Sequence, residues 1–339
     1  MTKTTLKEIA ESLGISISTV SKALKNYPDV SQRTKQKVIA AAKAFNYSPN
    51  VFAQSLRSNR SQTIGLIIPS TVHYYFSNII NVILKEAELK DYMVIILQSN
   101  EDFELEKKQI DLLINKGVDG ILISLSNNTN DFKHLQKVID YNIPLVLFDK
   151  ITKLIRCSKV IINDIKASYD AVTYLINKGY RRIAYFRGDL NPQNSIDRFL
   201  GYKKALEDHN IKYDASLVYI CPKANFEEGY ANTKKLIEVD KKNIDAIFTI
   251  TDLTAIGVIN YLNEHKIKIP DEVAVFGFSN WFMSSVITPT LSSVEQNAND
   301  TGRKSFEILF DEIENKLKGL EINHQTITID TELIIRDSC

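Results

Sequence analysis

Apolar residues at the start of the chain fall at helical spacing. Leu6, Ile9, Ala10 and Leu13 recur at i, i+3, i+4 and i+7, so residues 5–13 read as a short amphipathic helix. Gly14 supplies its stop. Ser16 can cap a second helix with Val20, Ala23 and Leu24 on one face. The run Asn26-Tyr-Pro-Asp-Val breaks it, and Ser31 caps a third helix with Val38, Ala41, Ala42 and Phe45 inward, ending near Tyr47-Ser-Pro49. From residue 61 the pattern changes to strand-sized apolar runs. They lie at Thr63–Ile68, Met93–Leu97, Gly120–Ile123, Pro144–Phe148, Val160–Ile162, Arg182–Phe186, Leu217–Ile220, Ala246–Ile250, Val273–Phe276 and Leu291–Val294. Amphipathic stretches such as Glu104–Asn115, Ala167–Asn177, Ile196–Asp208 and Leu253–Glu264 separate most of them. Strand–helix alternation predicts parallel sheets covered by helices. So many strands predict two doubly wound domains in an α/β body, with a boundary near Ile155–Val160.

Helix, glycine turn, helix, loop, helix is the geometry of a helix-turn-helix DNA reader. About 100° per residue along the second helix places Val20, Ala23 and Leu24 inward and Ser18, Lys22 and Lys25 outward. Ile17 falls at the boundary, where a core-edge place and an outer place are equally consistent with the spacing. Polar side chains on the N-terminal half of the outer face could reach base edges. Thr5, Ser16, Ser31 and Thr34, with the lysines, are better placed for phosphates.

Charge sharpens this division. The 339 residues sum to +1, yet residues 1–60 hold ten Lys/Arg against Glu8, Glu11 and Asp29, a balance of +7 that leaves −6 for the rest. A basic head on an acidic body suggests a polyanion partner for the head alone, although a solvated helical surface has the same composition. With 44% apolar and 24% charged residues the chain is neither disordered nor membrane-spanning in pattern. No signal-peptide core opens it. Cys157, Cys221 and Cys339 form no CxxC pair and no cluster with the five histidines. A reduced cytoplasmic protein without structural metal or cofactor is expected. Neither GxGxxG, Walker A, HExxH nor GxSxG is present, so the residues give an enzyme little support.

The run Thr5-Leu-Lys-Glu-Ile-Ala-Glu-Ser-Leu-Gly-Ile-Ser-Ile-Ser-Thr-Val-Ser-Lys-Ala-Leu resembles the DNA-binding head of the LacI/GalR family of bacterial transcription regulators. Val30-Ser-Gln-Arg-Thr-Lys-Gln-Lys-Val and Asn46-Tyr-Ser-Pro-Asn resemble it too. The resemblance implies that Ile17, Ser18 and Lys22, with Thr19 and Ser21 beside them, face DNA. The family usually carries Arg where this chain has Lys22, so the operator half-site is expected to differ from the common one. Residues 1–49 would be the head and 50–61 a hinge that folds on the operator. Leu56 matches the family's minor-groove wedge, with Asn50, Ala53 and Arg57 as its neighbours.

The body resembles a type I periplasmic-binding-protein fold through Thr63-Ile-Gly-Leu-Ile-Ile-Pro, Val118-Asp-Gly-Ile-Leu, Ile143-Pro-Leu-Val-Leu-Phe-Asp, Gly179-Tyr-Arg-Arg-Ile-Ala and Thr331-Glu-Leu-Ile-Ile-Arg-Asp-Ser. That implies two lobes within 62–339, the first about 62–159 plus 291–322 and the second about 160–290 plus 323–339. No heptad tail follows, so a homodimer rather than a coiled-coil tetramer is expected.

Ligands of open α/β sheets sit beyond the carboxyl ends of strands. Tyr74, Tyr75, Phe76, Asp149, Asp164, Arg198, Phe226, Asp252, Ser279 and Gln296 all follow predicted strands. Arg and Asp beside aromatic rings suit a sugar. Ser195-x-x-Arg198-x-x-Gly201 matches the family's effector motif, and Thr251-Asp252-x-x-Ala255-x-Gly257 matches another except at Thr251. Gly277-Phe278-Ser279-Asn280 lacks the carboxylates common there, which puts an ordinary hexose pose in doubt and leaves a modified or acidic sugar open. The expected function is a sugar-responsive regulator, acting as a repressor on near-palindromic operator DNA. The rival is a cytoplasmic sugar-binding or sugar-processing protein with a repurposed basic head.

Overall fold

A computed structural model describes residues 5–47, 60–71 and 73–339. They form two compact units, residues up to Ser61 and residues from Gln62 onward.

In the first unit, α1 (Leu6–Leu13), α2 (Ile17–Leu24) and α3 (Gln32–Ala44) follow the apolar spacing. Thr5 and Glu8 close a capping box on α1, and Gly14 ends that helix in the left-handed region at φ 64°. Ser16 and Ser31 cap α2 and α3. Ile9, Ala10, Val20, Ala23, Val30, Val38 and Ala42 form the small core. Phe45, expected inward, is 44% exposed: it is the C-cap of α3, past the last turn that keeps helical phase.

The second unit holds two six-stranded sheets. The first sheet contains β1 (Thr63–Ile68), β2 (Met93–Gln98), β3 (Gly120–Ile123), β4 (Leu145–Phe148) and β5 (Ser158–Ile162), plus β11 (Thr326–Ile329), in the order β11-β5-β4-β3-β1-β2. The second contains β6 (Ile183–Arg187), β7 (Val218–Ile220), β8 (Ala246–Thr249), β9 (Ala274–Phe278) and β10 (Ser292–Glu295), plus β12 (Glu332–Ile334), in the order β12-β10-β9-β8-β6-β7. The two halves repeat one doubly wound pattern. Every pairing is parallel except β10 with β12. Between the strands run α4 (Tyr74–Glu88), α5 (Phe103–Lys116), α6 (Lys133–Asp140), α7 (Asp164–Asn177), α8 (Gln193–Asp208), α9 (Phe226–Lys234), α10 (Asp252–Glu264) and α11 (Ala298–Leu317). Among the described residues no helix is long and apolar enough to cross a membrane.

The expected lobe boundaries need three corrections. All of β5 belongs to the first sheet, although the second lobe was expected to begin at 160. β10, assigned with 291–322 to the first lobe, pairs with β9 in the second sheet. β11, assigned to the second lobe, pairs with β5 in the first. The chain therefore crosses at Asn163, at Gln296–Asn297 and at Asp330–Thr331. Hydropathy marks a strand but not the sheet it joins, and each error falls on a strand next to a crossing.

Candidate functional site

On the first unit the outer face of α2 carries Ile17, Ser18 and Lys22 toward solvent, with Ile17 48% exposed. This places Ile17 on the outer side of its boundary. Thr19 and Ser21 are half-buried. Ser16 Oγ accepts from Thr19 N at 3.1 Å and lies 2.7 Å from Ser18 Oγ and 2.8 Å from Thr19 Oγ1. Ser31 Oγ accepts from Thr34 N and lies 2.8 Å from Thr34 Oγ1, while Thr5 Oγ1 accepts from Glu8 N. The hydroxyls assigned to phosphates thus also fix helix starts. Lys22 Nζ donates to Asp29 Oδ2. Asn50, Ala53, Leu56 and Arg57 lie outside the described residues.

In the second unit a cleft opens where strand order reverses, beyond the ends of β1 and β3 in one sheet and β6 and β8 in the other. It encloses about 140 Å³ and is lined from the first lobe by His73, Tyr75, Phe76, Glu101, Asp149 and Lys150, and from the second by residues such as Asn194, Ser195 and Arg198. Ser279 and Gln296 line it as well.

Arg198 is the best-held side chain there. Its Nε donates to Asp164 Oδ1 at 2.7 Å, one Nη to the Ile250 carbonyl at 3.0 Å and the other to Gln296 Oε1 at 3.2 Å. The guanidinium lies 3.6 Å from the centre of the Phe278 ring. Gly201 explains the spacing of the motif: a Cβ there would stand 2.2 Å from the Ile165 carbonyl oxygen, so only glycine lets α8 approach the start of α7. That approach brings Arg198 to Asp164. Gln296 passes the network on, donating from Nε2 to Ser279 Oγ at 2.7 Å, and Asn297 Nδ2 donates to the Asp330 carbonyl at 2.7 Å. Arg198 is therefore bonded to the residue that follows the first crossing and to the second crossing, and the second crossing is bonded to the third.

Burial drives the electrostatics. It pushes Asp164 up to about 7, against the pull of Arg198. It raises Asp149 too, against Lys150 and Arg198. His73 is held down at about 4, first by burial and then by those two cations, so it is neutral at pH 7. Asp149, at φ 56°, accepts long bonds of 3.3 Å from Ser124 Oγ and, across the cleft, from Asn194 Nδ2.

Not every expected residue joins the cleft. Asp164 sits behind Arg198 rather than on the lining. Asp252 has both oxygens engaged within the protein: Oδ1 accepts from Ser293 Oγ, and Oδ2 from Trp281 N at 2.6 Å and Ser284 Oγ at 2.7 Å. It organises the Ser279–Ser285 loop, and burial raises its carboxyl. Tyr74 and Trp281 tilt together at 6.4 Å over a small neighbouring pocket shared with His73, Asp252 and Ser279. Phe226 does not line the cleft: Gly257 packs against its carbonyl, and its ring stacks on Tyr230 at 6.4 Å.

Sequence reasoning missed Glu101, Asn127 and Asn194. Lys150 Nζ donates to Glu101 Oε1 and Asn127 Oδ1, each at 2.6 Å, and Asn127 Nδ2 reaches across to the Pro222 carbonyl at 3.2 Å. Glu101 and Asn127 each follow a predicted strand by four residues, a looser form of the signal that picked out Asp149.

Residues 5–50 match the family model described as bacterial regulatory proteins, lacI family, and residues 172–339 match a periplasmic binding protein-like domain. The chain is 30% identical over 336 residues to the HTH-type transcriptional regulator RegA of Clostridium saccharobutylicum, covering 99% of each. This protein belongs to the lacI family of bacterial transcriptional regulators. The regulator is also 30% identical over 342 residues to the HTH-type transcriptional repressor PurR of Histophilus somni strain 2336, covering 98% of each. The Lac repressor dimer bound to operator and the anti-inducer ONPF superposes with a TM-score of 0.87 at 22% identity, covering 99% of each chain, a likeness of fold.

Proposed function

We propose that this regulator is a homodimeric repressor whose cleft binds a sugar or sugar derivative and thereby sets the affinity of its heads for a near-palindromic operator. Residues 1–49 form the DNA-reading head, 50–61 the hinge and 62–339 the effector and dimerisation body. The observation that carries the effector reading is polar chemistry left open in the cleft wall: His73 Nδ1 and Ser195 Oγ are buried without a hydrogen-bond partner and both residues line it. Buried polar atoms normally find partners, and a polyhydroxylated ligand supplies them. Tyr74 and Trp281 offer ring faces at the margin. The DNA reading is supported by the exposed Ile17, Ser18 and Lys22 on a basic head, and a homodimer on DNA agrees with the Lac repressor dimer bound to operator; a two-fold dimer calls for a near-palindromic site. The protein acts in the cytoplasm by binding rather than by catalysis.

Sequencing the DNA that the full chain retains from its own genome tests this. A short two-fold-symmetric site is expected. Retained sugar binding with no enriched site would favour the sugar-binding rival with a repurposed head.

A further inference from the structure

Lysine is less preorganised than arginine for reading a base. Its ammonium is a point charge on a flexible stem, where arginine offers a rigid fork. At Lys22 the head supplies a restraint. The ammonium is bound to Asp29 Oδ2, and the two side chains are 49% and 51% exposed on the same surface. The loop that carries Asp29 is anchored on both sides of it. Asp29 stands between α2 and α3, directly before Val30, which is buried in the head core, and Ser31, which caps α3. Upstream, Tyr27 N donates to the Lys22 carbonyl at 3.0 Å and Lys35 Nζ to the Asn26 carbonyl at 3.3 Å. Each partner also favours the charged form of the other, with Lys22 raised and Asp29 lowered chiefly by their shared hydrogen bond.

We infer that Asp29 is a specificity-determining positioning residue of the DNA-reading face, holding the Lys22 ammonium toward one base edge while its own carboxylate repels phosphates. The inference rests on the proposed reading of α2 as the base-reading helix. An ammonium has three N–H donors. One is given to Asp29, and two remain for a pair of acceptors such as guanine O6 and N7. A bound aspartate thus confers on lysine part of the orientation that an arginine carries intrinsically. The carboxylate also subtracts one positive charge per head from sequence-independent attraction to DNA, so loss of Asp29 strengthens non-specific binding and weakens discrimination together.

The pair is too exposed to matter much for folding. A purely structural role and a positioning role are therefore separable. The experiment uses the full chain and a duplex recovered from a random-sequence pool by the wild-type protein, together with single-base variants of that duplex and an unrelated duplex. Lys22→Ala identifies the base pair that Lys22 reads. Asp29→Asn should reduce discrimination at that same pair by about tenfold, within the range a two-acceptor base contact provides. It should leave the other pairs unchanged, bind the unrelated duplex more tightly and melt like wild type. Asp29→Glu should restore much of the discrimination. In the Lys22→Ala background Asp29→Asn should cost no further discrimination. If wild type selects a site but Asp29→Asn discriminates at every pair as wild type does, or acts equally without Lys22, the inference is overturned. If wild type selects no sequence at all, the failure belongs to the DNA-reading proposal itself.

Discussion

Removing Asp164 should unpair a buried guanidinium. Arg198 and Asp164 have side chains only 5% and 8% exposed, with Nε and Oδ1 2.7 Å apart. Taking one partner from a buried pair typically costs about 3–5 kcal/mol, because the remaining charge stays desolvated. Two other bonds of Arg198, to the Ile250 carbonyl and to Gln296, survive the change and place the expected cost of Asp164→Ala toward the lower end. The single tryptophan, Trp281, lies in the second unit, so its fluorescence in urea follows that unit without the head. With a urea slope of about 3 kcal/mol per molar, a loss of about 3 kcal/mol lowers the midpoint by about 1 M. Asp164→Asn keeps an acceptor oxygen for Nε and should lose less. A midpoint shift under about 0.3 M for Asp164→Ala would refute the reasoning, since it would mean that the guanidinium finds other compensation.

Four further outcomes are expected. The carboxyl of Asp164 stands near 7 in the folded protein, above the ordinary aspartate value, so folding takes up a proton there. Its contribution is complete below about pH 4 and is lost as pH rises through about 7; the stability of wild type relative to Asp164→Asn should grow between about pH 8 and about pH 5, and a flat difference would contradict the assignment. Gly257→Ala would put a Cβ 2.1 Å from the Phe226 carbonyl oxygen, so α10 must move off α9; a loss of about 1–3 kcal/mol in the same urea assay is expected. Leu56→Ala should weaken operator binding in gel shift while leaving sugar titrations of Trp281 fluorescence unchanged. Operator affinity should fall steeply with salt, and Lys22→Ala should lower the slope of log affinity against log salt if Lys22 contacts DNA as a cation.

Helix periodicity made the head legible nearly residue by residue, because three short helices around one small core leave the apolar stripe little choice of partner. Phase alone puts Ile17 at the boundary of the helix faces, and its exposure places it on the outer one. In the body, strand positions were legible but sheet membership was not. β5, β10 and β11 adjoin crossings, and nothing in a run such as Ser292–Glu295 states which neighbour it will pair with. The cleft followed a similar division. Arg198 carried a motif whose glycine has a packing reason, and it stands in the wall. Asp252 carried a comparable motif, yet its oxygens are turned to Ser284, Ser293 and the Trp281 amide. A sequence pattern marks a carboxylate that matters without showing whether a ligand or a loop receives it. Glu101 and Asn127 were missed for a related reason: they matter through Lys150, a contact between segments distant in sequence.

In the proposed function the state of the cleft sets the affinity of the heads for DNA. This is tested by measuring the affinity of the full chain for its recovered operator across a titration of a sugar that changes Trp281 fluorescence, with Arg198→Ala in parallel. A shift of about 5- to 150-fold in operator affinity is expected for wild type, with an equal reciprocal shift in sugar affinity when operator is bound, and loss of both in Arg198→Ala. Saturable sugar binding in the cleft with operator affinity unchanged would contradict the proposed coupling.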